Sequence, residues 1–302
     1  MSAELDPARF RTRALSPRGF AQAFVDEGSG FPLLLVHGWP ETKRIWWRNV
    51  EPLAAAGFRV VAPDLRGFGE SDLAPDGFGD VPSHSRDLAA LCDALGLGRV
   101  VLVGGDLGGA VIQDFALRFP ERVERLVIFN SPLPYLKDRM AGLRTRPAAE
   151  AGDYFLRQGT DADALARELA TPEARRRYIA SFYGPRFWAH PGAFTREAVE
   201  FMTAPFADAA KLRAGFAGYE SVFDAKKRSE PPLLRENPAH ALVLFGASDH
   251  VIYPEFDRMA AAVFPDHVGP FLVRDAGHFL QWEAAGVLNS AIRAFCRDLV
   301  KR

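Results

Sequence analysis

The sequence predicts an α/β fold, with a mostly parallel central sheet flanked by helices and a helical lid inserted into it. Three observations carry that expectation. Short apolar, β-branched runs alternate with helix-period segments from residue 33 to 129 and again beyond 241, the pattern of a parallel sheet covered on both faces. From about residue 132 to 232 helical periods continue without a convincing strand. Glycines crowd one strand-to-helix junction, at positions 104, 105, 108 and 109, where a tight turn or close backbone approach needs them. The expected division is a core of residues 1–131 and 233–302 and a helical lid of residues 132–232.

The 302 residues and 48% hydrophobic content allow one large α/β domain with an inserted subdomain. A net charge of −1 provides no electrostatic footprint for nucleic acid or an anionic membrane. Cys92 and Cys296 fall at apolar helix positions and read as buried free thiols of a reducing compartment. The first ten residues lack the apolar segment of a signal peptide, and no apolar run is long enough to span a bilayer. A cytoplasmic protein, monomer or homodimer, is expected.

In chain order, Ser16-Pro-Arg-Gly19 is a turn signal, and residues 19–25 alternate loosely, so an early antiparallel hairpin is expected. Residues 33–36 form a buried strand that runs into His37-Gly-Trp-Pro40. A helix carrying Ile45, Trp46 and residues 50–53 follows, then a strand at 60–62 and a glycine-rich loop at 63–72. Ser83 opens a helix with Leu88, Leu91, Cys92 and Leu95 on one face. Residues 100–103 are a strand. The next helix places Val111, Phe115 and Phe119 four apart and stops at Pro120. A strand at 125–129 precedes the inserted segment, which is dense in aromatics such as Tyr154, Tyr178, Phe182, Trp188 and Tyr219. Strands return at 241–245 and 271–273, separated by a helix. The final helix aligns Leu288, Ile292, Phe295, Cys296 and Leu299.

Gly104-x-Asp106-x-Gly108 has the spacing of a nucleophile elbow, with a carboxylate where serine is usual. A dinucleotide fingerprint read from Gly104 would need glycine at 106, and no G-x-S-x-G occurs in the chain. A carboxylate of ordinary pKa, about 3.9, is ionised at neutral pH and competent as a nucleophile. It can displace a leaving group from saturated carbon and leave an ester. That ester needs water activated by a base, and a site for the oxyanion. Of seven histidines, His278 lies just past the last strand, at the edge where active-site loops of open sheets collect. Asp249, four residues past Phe245, is the candidate to orient it. The order Asp106, Asp249, His278 is nucleophile, acid, histidine.

With these residues in view, the chain resembles the α/β-hydrolase superfamily over roughly residues 20–300, and within it the epoxide hydrolase branch. The resemblance rests on His37-Gly-Trp-Pro40, the loop from Pro63 to Asp72, the Asp106 elbow, Asp249 and Gly277-His278-Phe-Leu-Gln-Trp-Glu283. It implies an oxyanion site from the backbone N–H groups of Trp39 and Leu107, a cis Trp39-Pro40 bond, and a structural rather than basic His37. It implies two tyrosines that donate to the epoxide oxygen. Tyr154, before Phe155 and Gln158-Gly159, resembles the first, and Tyr219 in Phe216-Ala-Gly-Tyr-Glu-Ser resembles the second.

The resemblance implies conversion of an apolar small-molecule epoxide and water to a vicinal diol, with no cofactor and no metal. Leu107 departs from it: this position commonly holds Trp in epoxide hydrolases and haloalkane dehalogenases, and Arg in fluoroacetate dehalogenases. Haloalkane dehalogenases usually place Asn where Trp39 stands. Asn130 occupies a place where some relatives carry the acid, and an amide cannot take that role. A dehalogenase on the same scaffold, or a non-catalytic binding protein, remain as alternatives.

Overall fold

The computed structural model describes residues 5–145, 149–185, 188–252 and 254–300, with backbone only at 149–152. Eight strands form one sheet: β1 (Thr12–Leu15), β2 (Gln22–Gly28), β3 (Phe31–Val36), β4 (Phe58–Pro63), β5 (Val100–Gly105), β6 (Val123–Phe129), β7 (Ala241–Gly246) and β8 (His267–Val273). Their order is β1-β2-β4-β3-β5-β6-β7-β8. The β1–β2 and β2–β4 pairs are antiparallel and the others parallel. Leu33 to Val36, Val100 to Val103 and Leu126 to Phe129 are all fully buried, as expected for strands covered on both faces. The order reverses between β3 and β5. Loops leaving their carboxyl ends therefore diverge and open a crevice, the usual ligand position in such sheets. Those loops carry His37-Gly-Trp-Pro40 and Asp106.

Three helices lie among the first six strands: α1 (Val50–Ala55), α2 (Val81–Ala94) and α3 (Asp106–Arg118). Between β6 and β7 the described residues form α4 (Ala149–Thr160), α5 (Ala162–Glu168), α6 (Pro172–Ala180), α7 (Arg196–Thr203), α8 (Ala209–Gly215) and α9 (Ala217–Phe223), and no strand. This segment is tied to the core: Tyr183 Oη donates to Pro40 O at 2.6 Å and Arg44 Nη1 to Phe201 O at 2.8 Å. The chain ends with α10 (Phe256–Val263), α11 (Leu280–Glu283) and α12 (Ala285–Phe295).

Four local expectations need correction. The helix expected across residues 45–53 is a 3-10 turn, Lys43–Trp46, and then a fresh helix, α1. Pro52 explains the break, because in a helix interior its ring would clash with the carbonyl four residues back, and a first turn tolerates it. The helix assigned to Ser83 starts two residues earlier. Asp80 is its cap and accepts from Ser83 N–H at 3.2 Å. β8 begins at His267 rather than at 271. Gly269-Pro270 reads as a strand breaker, yet β8 is an edge strand, where proline loses no ladder bond, and the register shifts between Leu242 and Leu244. Finally, α12 stops at Phe295, with Cys296 as its C-cap. Both cysteines are free and buried. Burial pushes the Cys92 thiol up to about 12 and Cys296 to about 11. No helix among the described residues is long and apolar enough to cross a membrane.

Asp80 also accepts from Ser229 N–H at 2.6 Å and from Ser229 Oγ at 2.9 Å, joining α2 to the chain beyond α9. Asp80→Ala is expected to lower the unfolding free energy by about 2 kcal/mol, the upper range for a lost cap. Ser83→Ala, which loses one hydroxyl contact, is expected to cost under about 1 kcal/mol. Denaturant unfolding of both variants checks the order, and a larger loss at Ser83 would return the cap to that residue.

Candidate active site

The site begins with a backbone constraint at the end of β5. Asp106 has φ +47°, in the left-handed region that non-glycine residues seldom occupy. The turn is this sharp because α3 folds directly back on the sheet. A Cβ on Gly108 would stand 2.2 Å from Val36 O, and one on Gly104 would stand 2.8 Å from Gly108 C. Both glycines of the elbow spacing are thus required by close approach. The Asp106 N–H donates to Asn130 O at 2.9 Å, so the apex is also held from the end of β6.

The Asp106 carboxylate is buried. Its Oδ1 accepts from Trp39 N–H at 2.8 Å, and its Oδ2 lies 3.3 Å from His278 Nε2. On the far side of the ring, His278 Nδ1 is 3.0 Å from Asp249 Oδ2. The other Asp249 oxygen accepts from Val251 and Ile252 N–H at 2.7 and 3.2 Å, which fixes the acid. Burial alone would lower the His278 pKa. The Asp249 and Asp106 charges and the Asp249 hydrogen bond outweigh it and raise the imidazole to about 10. His278 is accordingly an imidazolium between two carboxylates near neutral pH.

The loop after β3 supplies the amide opposite. His37 is buried and holds that loop. Its Nε2 accepts from Leu65 N–H at 3.0 Å and its Nδ1 donates to Gly38 O at 2.8 Å. Burial lowers its pKa, so it stays neutral and far from a role as base. The Trp39-Pro40 bond is cis. Leu107 is the second residue of α3, and N–H groups in a helix's first turn have no intrahelical acceptor. The Trp39 amide thus reaches the Asp106 carboxyl from the loop after β3, and the Leu107 amide follows Asp106 directly in the first turn of α3.

Tyr154 on α4 and Tyr219 on α9 meet beside the Trp39 loop, their rings 5.9 Å apart and nearly perpendicular. The Trp39 indole stacks on Tyr154 at 5.9 Å and lies edge-on to Tyr219 at 5.3 Å. Burial raises both phenols well above their ordinary pKa, and the Asp106 charge raises them further. They are neutral donors at any physiological pH. The structure thus brings Asp106, Asp249, His278, Tyr154, Tyr219 and the Trp39 and Leu107 amides to one place. The Leu107 side chain contributes no donor. Among the described residues no group of three or more His, Cys, Asp or Glu side chains is arranged to hold a metal ion.

Several participants escape a reading of motifs. Asn130, also at positive φ, donates from Nδ2 to Gly277 O and His278 O at 2.7 and 3.1 Å, and its Oδ1 accepts from Gly246 N–H at 2.9 Å. It joins the elbow, the acid loop and the histidine loop. Glu41, directly after Pro40, accepts from Gly38 N–H at 2.6 Å and from Gln281 Nε2 at 2.8 Å. Burial lifts it to about 7, although the Gly38 N–H bond works against the rise. Trp188 sets its ring 4.5 Å from that of His278 and 5.2 Å from Tyr154.

The chain matches the family model for the alpha/beta hydrolase fold over residues 32–285. An epoxide hydrolase from Caballeronia sordidicola is 26% identical, covering 94% of this chain and 93% of its own. Haloalkane dehalogenase 2 from Mycobacterium bovis is 30% identical, covering 89% of each. The solved structure of the epoxide hydrolase CorEH without ligand superposes with a TM-score of 0.84 at 23% identity, covering 96% of this chain and 99% of that one.

A Cβ on Gly38 would fall 2.6 Å from Asp106 Cβ and 2.8 Å from its Oδ1. Gly38→Ala is therefore expected to push the carboxylate off the Trp39 amide. The rate at which an alkylating electrophile labels Asp106 should fall on the order of 10²-fold, the scale of a misplacement near 1 Å. Mass mapping of the labelled peptide, with circular dichroism as the check on folding, measures it. An unchanged rate in a folded variant would remove the Trp39 amide from the site.

Proposed function

The chain belongs to the α/β-hydrolase fold family, and from that premise we propose that it is an epoxide hydrolase acting through a covalent ester of Asp106. The observation that carries this reading is the pairing of a carboxylate on the elbow with two neutral, half-buried phenols that meet beside the Trp39 indole. A carboxylate attacks a ring carbon of an epoxide, and the opening ring needs proton donors for its oxygen. Tyr154 and Tyr219 have the right protonation for that task, beside a carboxylate that would quench a stronger acid.

Proton accounting follows from the electrostatics. The substrate meets Asp106 as carboxylate and His278 as imidazolium. Ring opening transfers a phenol proton to the new alkoxide, and the phenolate is refilled from His278. The step ends with a neutral ester, a free hydroxyl and a neutral imidazole. Esterification also removes one of the two negative charges that raise His278, so the ring becomes a base when the ester needs one. Water gives a proton to Nε2 and adds to the Asp106 carbonyl carbon. The oxyanion lies between the Trp39 and Leu107 amides. Collapse releases the diol, its oxygen protonated by the added hydroxyl, and restores carboxylate and imidazolium. Asp249 holds the ring and stabilises the imidazolium throughout.

The helical segment of residues 132–232 serves as a lid on the core of residues 1–131 and 233–302. Its aromatic lining suits a small apolar epoxide, handled with water and no cofactor in the cytoplasm. The dehalogenase reading has a relative at 30% identity behind it. Leu107 speaks against it, because a leucine cannot hydrogen-bond a leaving halide. The Trp39 indole Nε1 would be 3.0 Å from a Cβ on Gly215 of α8, so it faces α8.

The test is turnover of aryl and aliphatic epoxides against haloalkanes and haloacetates. Wild type is expected to give diol and no halide. Tyr219→Phe should slow ester formation by ~10²–10⁴-fold, the range of general acid catalysis. His278→Gln should form the ester and keep it, gaining the mass of one epoxide on the Asp106 peptide. Halide release without diol would move the assignment to the dehalogenase.

A further inference from the structure

His278 is held by more than its two carboxylate partners. It sits between Gly277 and Phe279, immediately before α11, and Glu283 at the end of α11 turns its carboxylate back on this loop. Glu283 Oε2 accepts from Gly277 N–H at 2.7 Å and Oε1 accepts from Phe279 N–H at 2.8 Å. The amide between them, His278 N–H, donates to Trp188 O at 2.7 Å. Oε2 of the same Glu283 also accepts from His190 N–H at 2.8 Å.

Trp188 and His190 belong to the inserted segment, between α6 and α7. One of their backbone groups thus bonds the histidine loop directly, and the other shares Glu283 with it. The fit leaves no slack: a Cβ on Gly277 would stand 2.4 Å from Trp188 O and 2.7 Å from His190 N. The His190 ring continues the contact, its Nδ1 2.9 Å from Ser248 Oγ, beside Asp249. Burial raises the Glu283 pKa, and its three backbone N–H bonds and the His278 charge work against the rise; as a carboxylate it only accepts, and charge-assisted bonds to backbone N–H are the stronger kind. One side chain therefore clamps two segments that are distant in sequence.

We propose that Glu283 is a positioning residue for His278, and that by gripping His190 as well it makes docking of residues 188–190 and setting of the imidazole a single event. This rests on the reading of His278 as the base of ester hydrolysis. Attack by Asp106 needs the elbow and the two phenols, and His278 refills the phenolate only after the ring has opened. Hydrolysis needs the imidazole aimed at a water beside the ester. A slack histidine loop should therefore slow the second step far more than the first. A glutamate that merely stabilised the fold would weaken both steps together.

The experiment compares Glu283→Gln and Glu283→Asp with wild type in the full chain, using styrene oxide as probe under single-turnover conditions. In Glu283→Gln the amide turns a donor toward one of the three backbone N–H groups. Its ester should form within about threefold of the wild-type rate and hydrolyse on the order of 10²-fold more slowly, as expected for a base misplaced by about 1 Å. Adduct should accumulate on the Asp106 peptide. Glu283→Asp keeps the charge and should recover part of the rate; it carries both readouts if the glutamine variant does not fold. The second readout needs no epoxide. The His278 ring pKa, followed by NMR and raised to about 10 by its partners, should fall in Glu283→Gln, in part through loss of the Glu283 charge; a smaller fall in Glu283→Asp, which keeps that charge, reads the ring loosening from Asp249 and Asp106. Equal slowing of both steps, or no slowing, with an unmoved His278 titration, overturns the proposal. No ester in wild type with any epoxide, together with a shifted His278 titration, would overturn the epoxide reading and leave the positioning role standing.

Discussion

An ionised carboxylate under an aromatic roof is unfavourable unless its charge is met, and meeting the charge of Asp106 organises the molecule around it. One oxygen takes the Trp39 amide and the other faces the His278 imidazolium. Each partner is then held by groups of its own. The Trp39 loop is fixed by His37 against Leu65 and by Glu41 against Gly38. His278 is fixed by Asp249 and, through its backbone, by Asn130 and Trp188. The sheet order makes this possible, because β3 and β5 are neighbours whose following loops leave in opposite directions. Gly38 and Gly108 let those loops approach until side chains would collide.

The same electrostatics divide the chemistry in time. Two carboxylates keep His278 charged, which suits a group that must first supply a proton. In the proposed reaction, loss of the Asp106 charge is what makes it a base. The phenols stay neutral because burial and Asp106 both disfavour the phenolate. On the proposed route, one net proton stored on imidazole lets the site open an epoxide and regenerate itself without drawing a proton from bulk solvent. On that route the inserted helices contribute the donors, and residues 188–190 join those helices to the proposed base.

Much of this architecture can be read from the chain, for definite reasons. Buried parallel strands advertise themselves as apolar runs, and the elbow does so because two close backbone approaches fix glycine at 104 and 108. The chain order of Asp106, Asp249 and His278 reflects the ends of β5 and β7 and the loop past β8. Other features leave no periodic trace. Asp80 displaces Ser83 as the α2 cap because its carboxylate also reaches Ser229, 149 residues away, a tertiary contact. Pro52 divides a run whose apolar residues still read as one helix. Glu41 looks like an ordinary polar loop residue, and although Asn130 and Glu283 lie at positions the resemblance marks, nothing in the sequence gives the parts they play. They matter through backbone N–H and C=O groups that no sequence pattern marks.

The central claim is that Asp106 becomes an ester whose carbonyl carbon, rather than the epoxide, is attacked by water. Wild-type protein in ¹⁸O-labelled water, held to one turnover with excess enzyme, distinguishes the two routes directly. The account requires the heavy oxygen in the Asp106 carboxylate, seen by mass mapping of its peptide, and an unlabelled diol. Heavy oxygen in the diol after that single turnover, with Asp106 unlabelled, would mean that water opens the epoxide itself and would contradict the account.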